Sequence, residues 1–314
     1  MKKVTIVGAG NVGATCANVL AHDNIVNEIV LLDLKEDMAK AKALDMWQQA
    51  PVDRYSTRLV GTSNYARTAD SDVVVITAGI PRKPGMSRDD LIAINADIVT
   101  AVTQSILEYT PNPILIVVSN PLDVMTYATF ETSGLSPNRV VGMAGILDTA
   151  RYRAFLALEL GLSPRDISAV LMGGHGDTMV PLPRYTTVAG IPVTELVSED
   201  RLEAIVNRTK KGGGELVKLM GTSAWYAPGA AAAQMVGVIV RDEQRIFPCC
   251  AYLSGQYGLD NLYLGVPVVL GANGVEKVIE LDLNASEKAL LKASSIAVNT
   301  VVEQYKKMKA EKEG

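Results

Sequence analysis

Short, strand-like runs rich in apolar and β-branched residues recur along the first 143 residues, separated for the most part by stretches of helical length. They fall at residues 4–7, 29–32, 57–60, 73–77, 114–118 and 140–142, and most are rich in valine and isoleucine. A strand with one wet face alternates apolar and polar positions; these runs do not, so they predict a parallel sheet buried on both faces by helices. Six such strands fit the two mononucleotide-binding halves of a doubly wound, Rossmann-type α/β fold. Helix starts support this frame. Ser119-Asn120-Pro121 closes the fifth run and opens a helix with proline where a missing N–H costs nothing, and Ser87 followed by Asp89 and Asp90 supplies an N-cap and negative charge at a helix start.

Beyond residue 144 the rhythm changes. A helix over 148–160 leads to a strand near 167–171, then two helical regions, a hairpin-like segment over 247–270 and a last helix from about 286. In that last helix the spacing predicts a buried face of Leu290, Ala293, Ala297, Val301 and Tyr305. The expected architecture is therefore a Rossmann domain over residues 1–143 and a C-terminal α+β substrate domain over 144–314, sharing a packed interface because no linker-like stretch separates them.

Composition narrows the function classes. With 314 residues, 48% of them hydrophobic, the chain can bury a sizeable core. Its net charge of −4 and pI near 5.4, with scattered basic residues, give no electrostatic footprint for nucleic acid or an anionic membrane. Three cysteines, Cys16, Cys249 and Cys250, make neither a disulfide framework nor a metal set, and His22 and His175 are too few for a histidine metal site. Reduced cysteines and an N-terminus that runs straight into a strand point to the cytoplasm. Residues 221–240 carry no charge and match a membrane span in length, but Pro228, Gly229, Gln234 and four consecutive alanines fit a buried helix better.

Five places along the chain carry chemistry. Gly8-Ala9-Gly10-Asn11-Val12-Gly13 follows the first strand and opens a helix, where glycines permit a tight turn and close approach of a pyrophosphate to the helix N-terminus. Asp33 ends the second strand, placed to accept hydrogen bonds from a ribose and to repel a 2′-phosphate, which favours NAD over NADP. After the fourth strand comes a loop with Arg82 and Arg88 at its ends and glycine and proline between them; two guanidiniums on a closing loop suit a small, doubly charged organic acid. Finally, His175 lies between glycines in Gly173-Gly174-His175-Gly176-Asp177, while Asp148 and Arg151 share one helix face by their spacing. An aspartate beside an imidazole stabilises the imidazolium and fixes its tautomer, and a nearby arginine can hold a carboxylate.

In this order, the glycine turn with Asp33, the loop from Ala78 to Arg88, Ser119-Asn120-Pro121, Asp148-Thr149-Ala150-Arg151 and Gly174-His175-Gly176-Asp177 resemble the lactate/malate dehydrogenases over essentially the whole chain, and within them the lactate-dehydrogenase-like group of malate dehydrogenases. The resemblance implies reversible oxidation of (S)-malate to oxaloacetate with NAD, with lactate oxidation or a catalytically silent dinucleotide-binding role as the alternatives. It implies His175 as proton donor and acceptor, Asp148 as its orienting partner, Arg151 on the carboxylate beside the reacting carbon, Arg88 on the carbonyl, Asn120 in substrate positioning and Arg82 at the specificity position. Gly8, Gly10, Asn11, Val12, Gly13, Asp33, Asn95, Val118 and Asn120 form the expected cofactor set. It likens Ala224-Trp225-Tyr226-Ala227-Pro228-Gly229 to the helix entry that walls the substrate pocket, packing being the other reading of the aromatic pair, and implies that the apolar helix over 37–49 meets a second subunit in a homodimer or homotetramer, the other reading being a core helix.

Overall fold

The structure, a computed structural model, describes residues 2–81 and 85–313. Its first half alternates β1 (Lys3–Val7), α1 (Asn11–Asp23), β2 (Glu28–Leu32), α2 (Glu36–Asp53), β3 (Arg58–Thr62), β4 (Val73–Ile76), α3 (Arg88–Leu107), β5 (Ile114–Val117), α4 (Leu122–Ser133) and β6 (Val140–Gly142). All six predicted strands are present and parallel, in the spatial order β3-β2-β1-β4-β5-β6. The order reverses between β1 and β4, which opens a crevice beyond the C-terminal ends of those two strands. Every residue of β4 and β5 is buried, as their unbroken apolar sequences require.

The second half contains α5 (Gly145–Leu160), β7 (Ile167–Ser168), β8 (Leu171–Met172), β9 (Val180–Pro181), β10 (Thr187–Val188), β11 (Ile191–Pro192), α6 (Val193–Leu196), α7 (Glu199–Met220), α8 (Tyr226–Arg241), β12 (Arg245–Ser254), β13 (Asp260–Gly271), β14 (Gly274–Val278) and α9 (Ala285–Glu313). The predicted hairpin is the antiparallel pair β12–β13, but it does not stand apart. Cys250 pairs with Gly142, so β12, β13 and β14 extend the parallel sheet to nine strands. One large apolar cluster consequently runs through both halves, and a smaller one, including Tyr152, Leu156, Ile167 and Ile205, lies between α5, β7 and α7.

Two expectations need correction. The strand near 167–171 is split: β7 pairs with β10 and β8 with β9, in different sheets. In α9, Leu290 is 49% exposed and Ala293 is also exposed; the buried row is Leu291, Ser294, Val298, Val301, Val302 and Tyr305. Ser294 misleads a hydropathy reading because its hydroxyl is buried as a hydrogen-bond acceptor for Gly174 N–H.

The charge-free stretch over 221–240 is accounted for by α8, most of whose residues are buried in the protein. Cys16, Cys249 and Cys250 are free and buried, the last two on β12. Burial pushes the Cys16 and Cys249 thiols up to about 12, which keeps them protonated and unreactive at neutral pH.

Candidate active site

At the crevice, the turn after β1 is set by backbone geometry. Gly8 has φ 110°, which a side chain would strain, and its N–H donates to Leu32 O at 2.7 Å. Thr77 Oγ1 donates towards Val7 O and Gly8 O, both at 3.1 Å. A Cβ on Gly13 would lie 1.9 Å from Gly8 O, so the third glycine is what lets α1 approach the turn. A Cβ on Gly10 would meet nothing within 4 Å, and α1 has no side-chain cap there. Its first N–H groups therefore face open space at the positive end of a helix, beside Asn11 and Val12, which suits a pyrophosphate.

Asp33 stands directly after β2. Its Oδ2 accepts Ala9 N–H at 2.7 Å and its Oδ1 accepts Lys35 N–H at 2.9 Å, while Lys42 Nζ donates to Ala9 O at 2.7 Å. The carboxylate thus shapes the glycine turn, and each oxygen keeps a lone pair for a ribose hydroxyl. These residues fit a dinucleotide.

Arg82 lies outside the described residues. Arg88 is the first residue of α3 and is exposed; the helix start beneath it is fixed by a reciprocal pair, Asp90 N–H to Ser87 Oγ and Ser87 N–H to Asp90 Oδ2, both 3.0 Å. Asn95, one of the expected cofactor residues, is only 1% exposed. Its Oδ1 accepts Ile80 N–H at 2.8 Å, and its Nδ2 donates to Ile80 O at 3.1 Å and to Asn120 O at 2.7 Å. The carboxamide is spent on the backbone of two loops, so its influence on a ligand passes through them. Val118 is buried immediately after β5, with its N–H on Ile76 O at 2.9 Å.

His175 sits between β8 and β9. Gly173 and Gly176 have φ 82° and 106°, and a Cβ on Gly174 would lie 2.5 Å from Val298 Cγ2, so all three glycines are needed to bring the histidine here. His175 Nδ1 is 2.9 Å from Asp148 Oδ2, and Arg151 Nη1 donates to Asp148 Oδ1 at 3.3 Å. Asp148 is 2% exposed in the first turn of α5. One buried carboxylate therefore orients both the imidazole and the guanidinium. With Nδ1 turned to Asp148, Nε2 is left for a reacting group.

The sequence reading missed Asp123, on the first turn of α4. Its Oδ2 accepts the backbone N–H of His175 at 3.0 Å, tying the histidine loop to the segment that carries Asn120. Its only sequence signal is an acid at a helix start, which any helix can show. The field of Asp148 holds His175 above the ordinary imidazole value, reinforced by their hydrogen bond and by Asp123; burial and Arg151 oppose this. Burial raises the Asp123 carboxyl in turn.

A cavity of about 390 Å³ brings His175, Arg88, Asn120 and Asp123 together, closed on one side by Val298 and Val301 of α9. Trp225 and Tyr226 do not line it. They flank a larger groove, about 790 Å³, against α1 and α2, because α8 packs so tightly on α1 that a Cβ on Gly229 would lie 2.6 Å from Thr15 Cβ. The two aromatic rings pack on each other, centroids 5.3 Å apart.

Residues 2–142 match the family model of the lactate/malate dehydrogenase NAD-binding domain, and residues 146–310 that of the alpha/beta C-terminal domain. The chain belongs to the lactate/malate dehydrogenase family. It is 67% identical over 301 residues to the malate dehydrogenase of Cytophaga hutchinsonii, covering 96% of each chain. Among solved structures of the family it superposes on malate dehydrogenase from Salinibacter ruber with TM-score 0.95 at 56% identity, covering 98% of this chain and 99% of the other. A lactate dehydrogenase from Cryptosporidium parvum, complexed with lactic acid and β-nicotinamide adenine dinucleotide, follows at TM-score 0.93 and 37% identity, with 97% and 98% covered.

Proposed function

We propose that this chain is an NAD-dependent malate dehydrogenase that interconverts (S)-malate and oxaloacetate. The observation that carries the reading is the His175–Asp148–Arg151 arrangement, in which one carboxylate sets both a proton-transfer group and a carboxylate-binding group. The glycine turn and Asp33 would hold the dinucleotide, whose nicotinamide supplies the hydride acceptor when bound.

In the oxidation direction, neutral His175 takes the hydroxyl proton at Nε2, and the imidazolium that forms is stabilised by Asp148. Reduction starts from that imidazolium. Arg151 holds the carboxylate next to the reacting carbon, and Arg88 stabilises negative charge developing on the oxygen, most strongly once water is excluded. Arg82 pairs with the distal carboxylate, and Asn120 helps fix the substrate in the cavity. Residues 1–143 form the cofactor half and 144–314 the substrate half of a cytoplasmic homo-oligomer.

The test is the rate of NADH oxidation with oxaloacetate and with pyruvate, for the natural chain and for Arg82→Gln. Oxaloacetate should be strongly preferred. Pyruvate would leave Arg82 an uncompensated charge in a closed pocket. Arg82→Gln should lower oxaloacetate kcat/KM by roughly 30-fold or more while raising pyruvate turnover. Equal rates with the two acids in the natural chain would overturn the assignment.

A further inference from the structure

α7 carries three consecutive glycines, Gly212-Gly213-Gly214, in its interior, where glycine is a poor helix former. Backbone conformation does not demand them, since the helix continues unbroken to Met220. At Gly213 and Gly214 a Cβ would meet nothing within 4 Å. At Gly212 it would lie 2.3 Å from Arg151 Cδ and 2.8 Å from Arg151 Nε, closer than any side chain could sit. The buried row of α7 is Leu202, Ile205, Thr209 and Gly212, a series that shrinks along the helix and ends where the arginine lies. α7 packs on α5, which carries Arg151.

We propose that Gly212 is a positioning residue for substrate binding: the slot left by its missing side chain seats the stem of Arg151 and so sets where the guanidinium meets the substrate carboxylate. This rests on the reading of Arg151 as the carboxylate-binding group. Arginine has many rotamers, and Asp148 restrains only one terminal nitrogen, at 3.3 Å. The wall of α7 restrains the rest. A methyl group at 212 has to push out the flexible arginine, because the other side of the contact is helix backbone.

The test compares Gly212→Ala, Gly213→Ala and Gly214→Ala by steady-state kinetics, NADH titration and thermal melting. The controls at 213 and 214 should keep the natural KM, with Tm unchanged or raised by the better helix former. Gly212→Ala should raise the oxaloacetate KM by about tenfold, with a smaller change in kcat and none in NADH affinity. In an Arg151→Ala background, Gly212→Ala should add nothing further, because its effect runs through the arginine stem. Any loss of Tm in Gly212→Ala should likewise be recovered there. An unchanged KM in Gly212→Ala, or a KM or Tm loss that persists without the Arg151 side chain, would overturn the proposal. If Arg151→Ala itself leaves KM unchanged, the carboxylate-binding reading of Arg151 fails and takes this inference with it; if Arg151→Ala raises KM but Gly212→Ala does not, only the role of Gly212 fails.

Discussion

His175 is held between two carboxylates that act on different parts of it: Asp148 on the ring and Asp123 on the backbone N–H. Both favour the imidazolium, with Asp148 the larger effect, so the group titrates above its ordinary value of 6.5. Malate oxidation, which needs the neutral ring, should therefore rise with pH through a midpoint above that value, and oxaloacetate reduction should fall through the same midpoint. Asp148→Asn should move both limbs to lower pH. Asp123→Asn should move them the same way but less, and should cost little in Tm because burial already disfavours that charge. The profiles of kcat/KM in the two directions check this; limbs that stay in place in both variants would remove His175 as the titrating group. The sign for stability follows from the same shift. A group whose folded value is raised contributes fully below its unfolded value and loses that contribution as pH climbs through the folded one, so the His175–Asp148 pair should stabilise the fold at mildly acidic pH and cease to do so in alkali.

Between elements, Asn95 does what no single loop residue does: from the interior of α3 it grips the chain after β4 and the chain after β5. Asn95→Leu keeps the branched side-chain skeleton but strips three hydrogen bonds and leaves backbone groups of Ile80 and Asn120 without this partner, a cost of about 1–3 kcal/mol for each that stays buried. Melting temperature and oxaloacetate kcat/KM should both drop, with NADH affinity affected less; a variant with full kcat/KM would show that the two loops hold their positions unaided. The legibility of the elements has a physical pattern. Five of the six parallel strands could be read because burial on both faces imposes a local composition, which the edge strand β3, with Arg58 exposed, carries only in part, and the start of α3 because its capping pair is local too. The extension of the sheet through Cys250 and Gly142 could not, since a pairing across more than 100 residues imposes no pattern on either segment. At the site, the same division separates Asp148, whose neighbour Arg151 is one helix turn away, from Asp123, whose partner lies 52 residues further on. The face of α9 was misjudged because Ser294 is buried for a hydrogen bond rather than for hydrophobicity.

For the molecule as a whole, α2 presents two different faces. Ala39, Ala43, Met46 and Ala50 are buried against the sheet, as the spacing of a packed helix requires. Leu44 and Trp47, one turn apart, are 56% and 44% exposed, with Met38 at 44% and Val52 at 76% on the same helix. A helix that needed only to cover the sheet would carry polar residues at these positions, so a second copy of the chain is the expected cover, and in a two-fold dimer each substitution counts twice. Burying a leucine or tryptophan side chain contributes about 1.5–3 kcal/mol. Replacing Leu44 and Trp47 together by glutamate should therefore weaken self-association by about 100-fold or more while leaving the folded protomer intact, since neither side chain belongs to the core. Sedimentation equilibrium across a range of concentrations, with circular dichroism to verify the fold, decides the matter. A natural chain that sediments as a monomer at micromolar concentration, or a double variant that associates as tightly as the natural chain, would mean that the apolar face of α2 is not where copies of this protein meet.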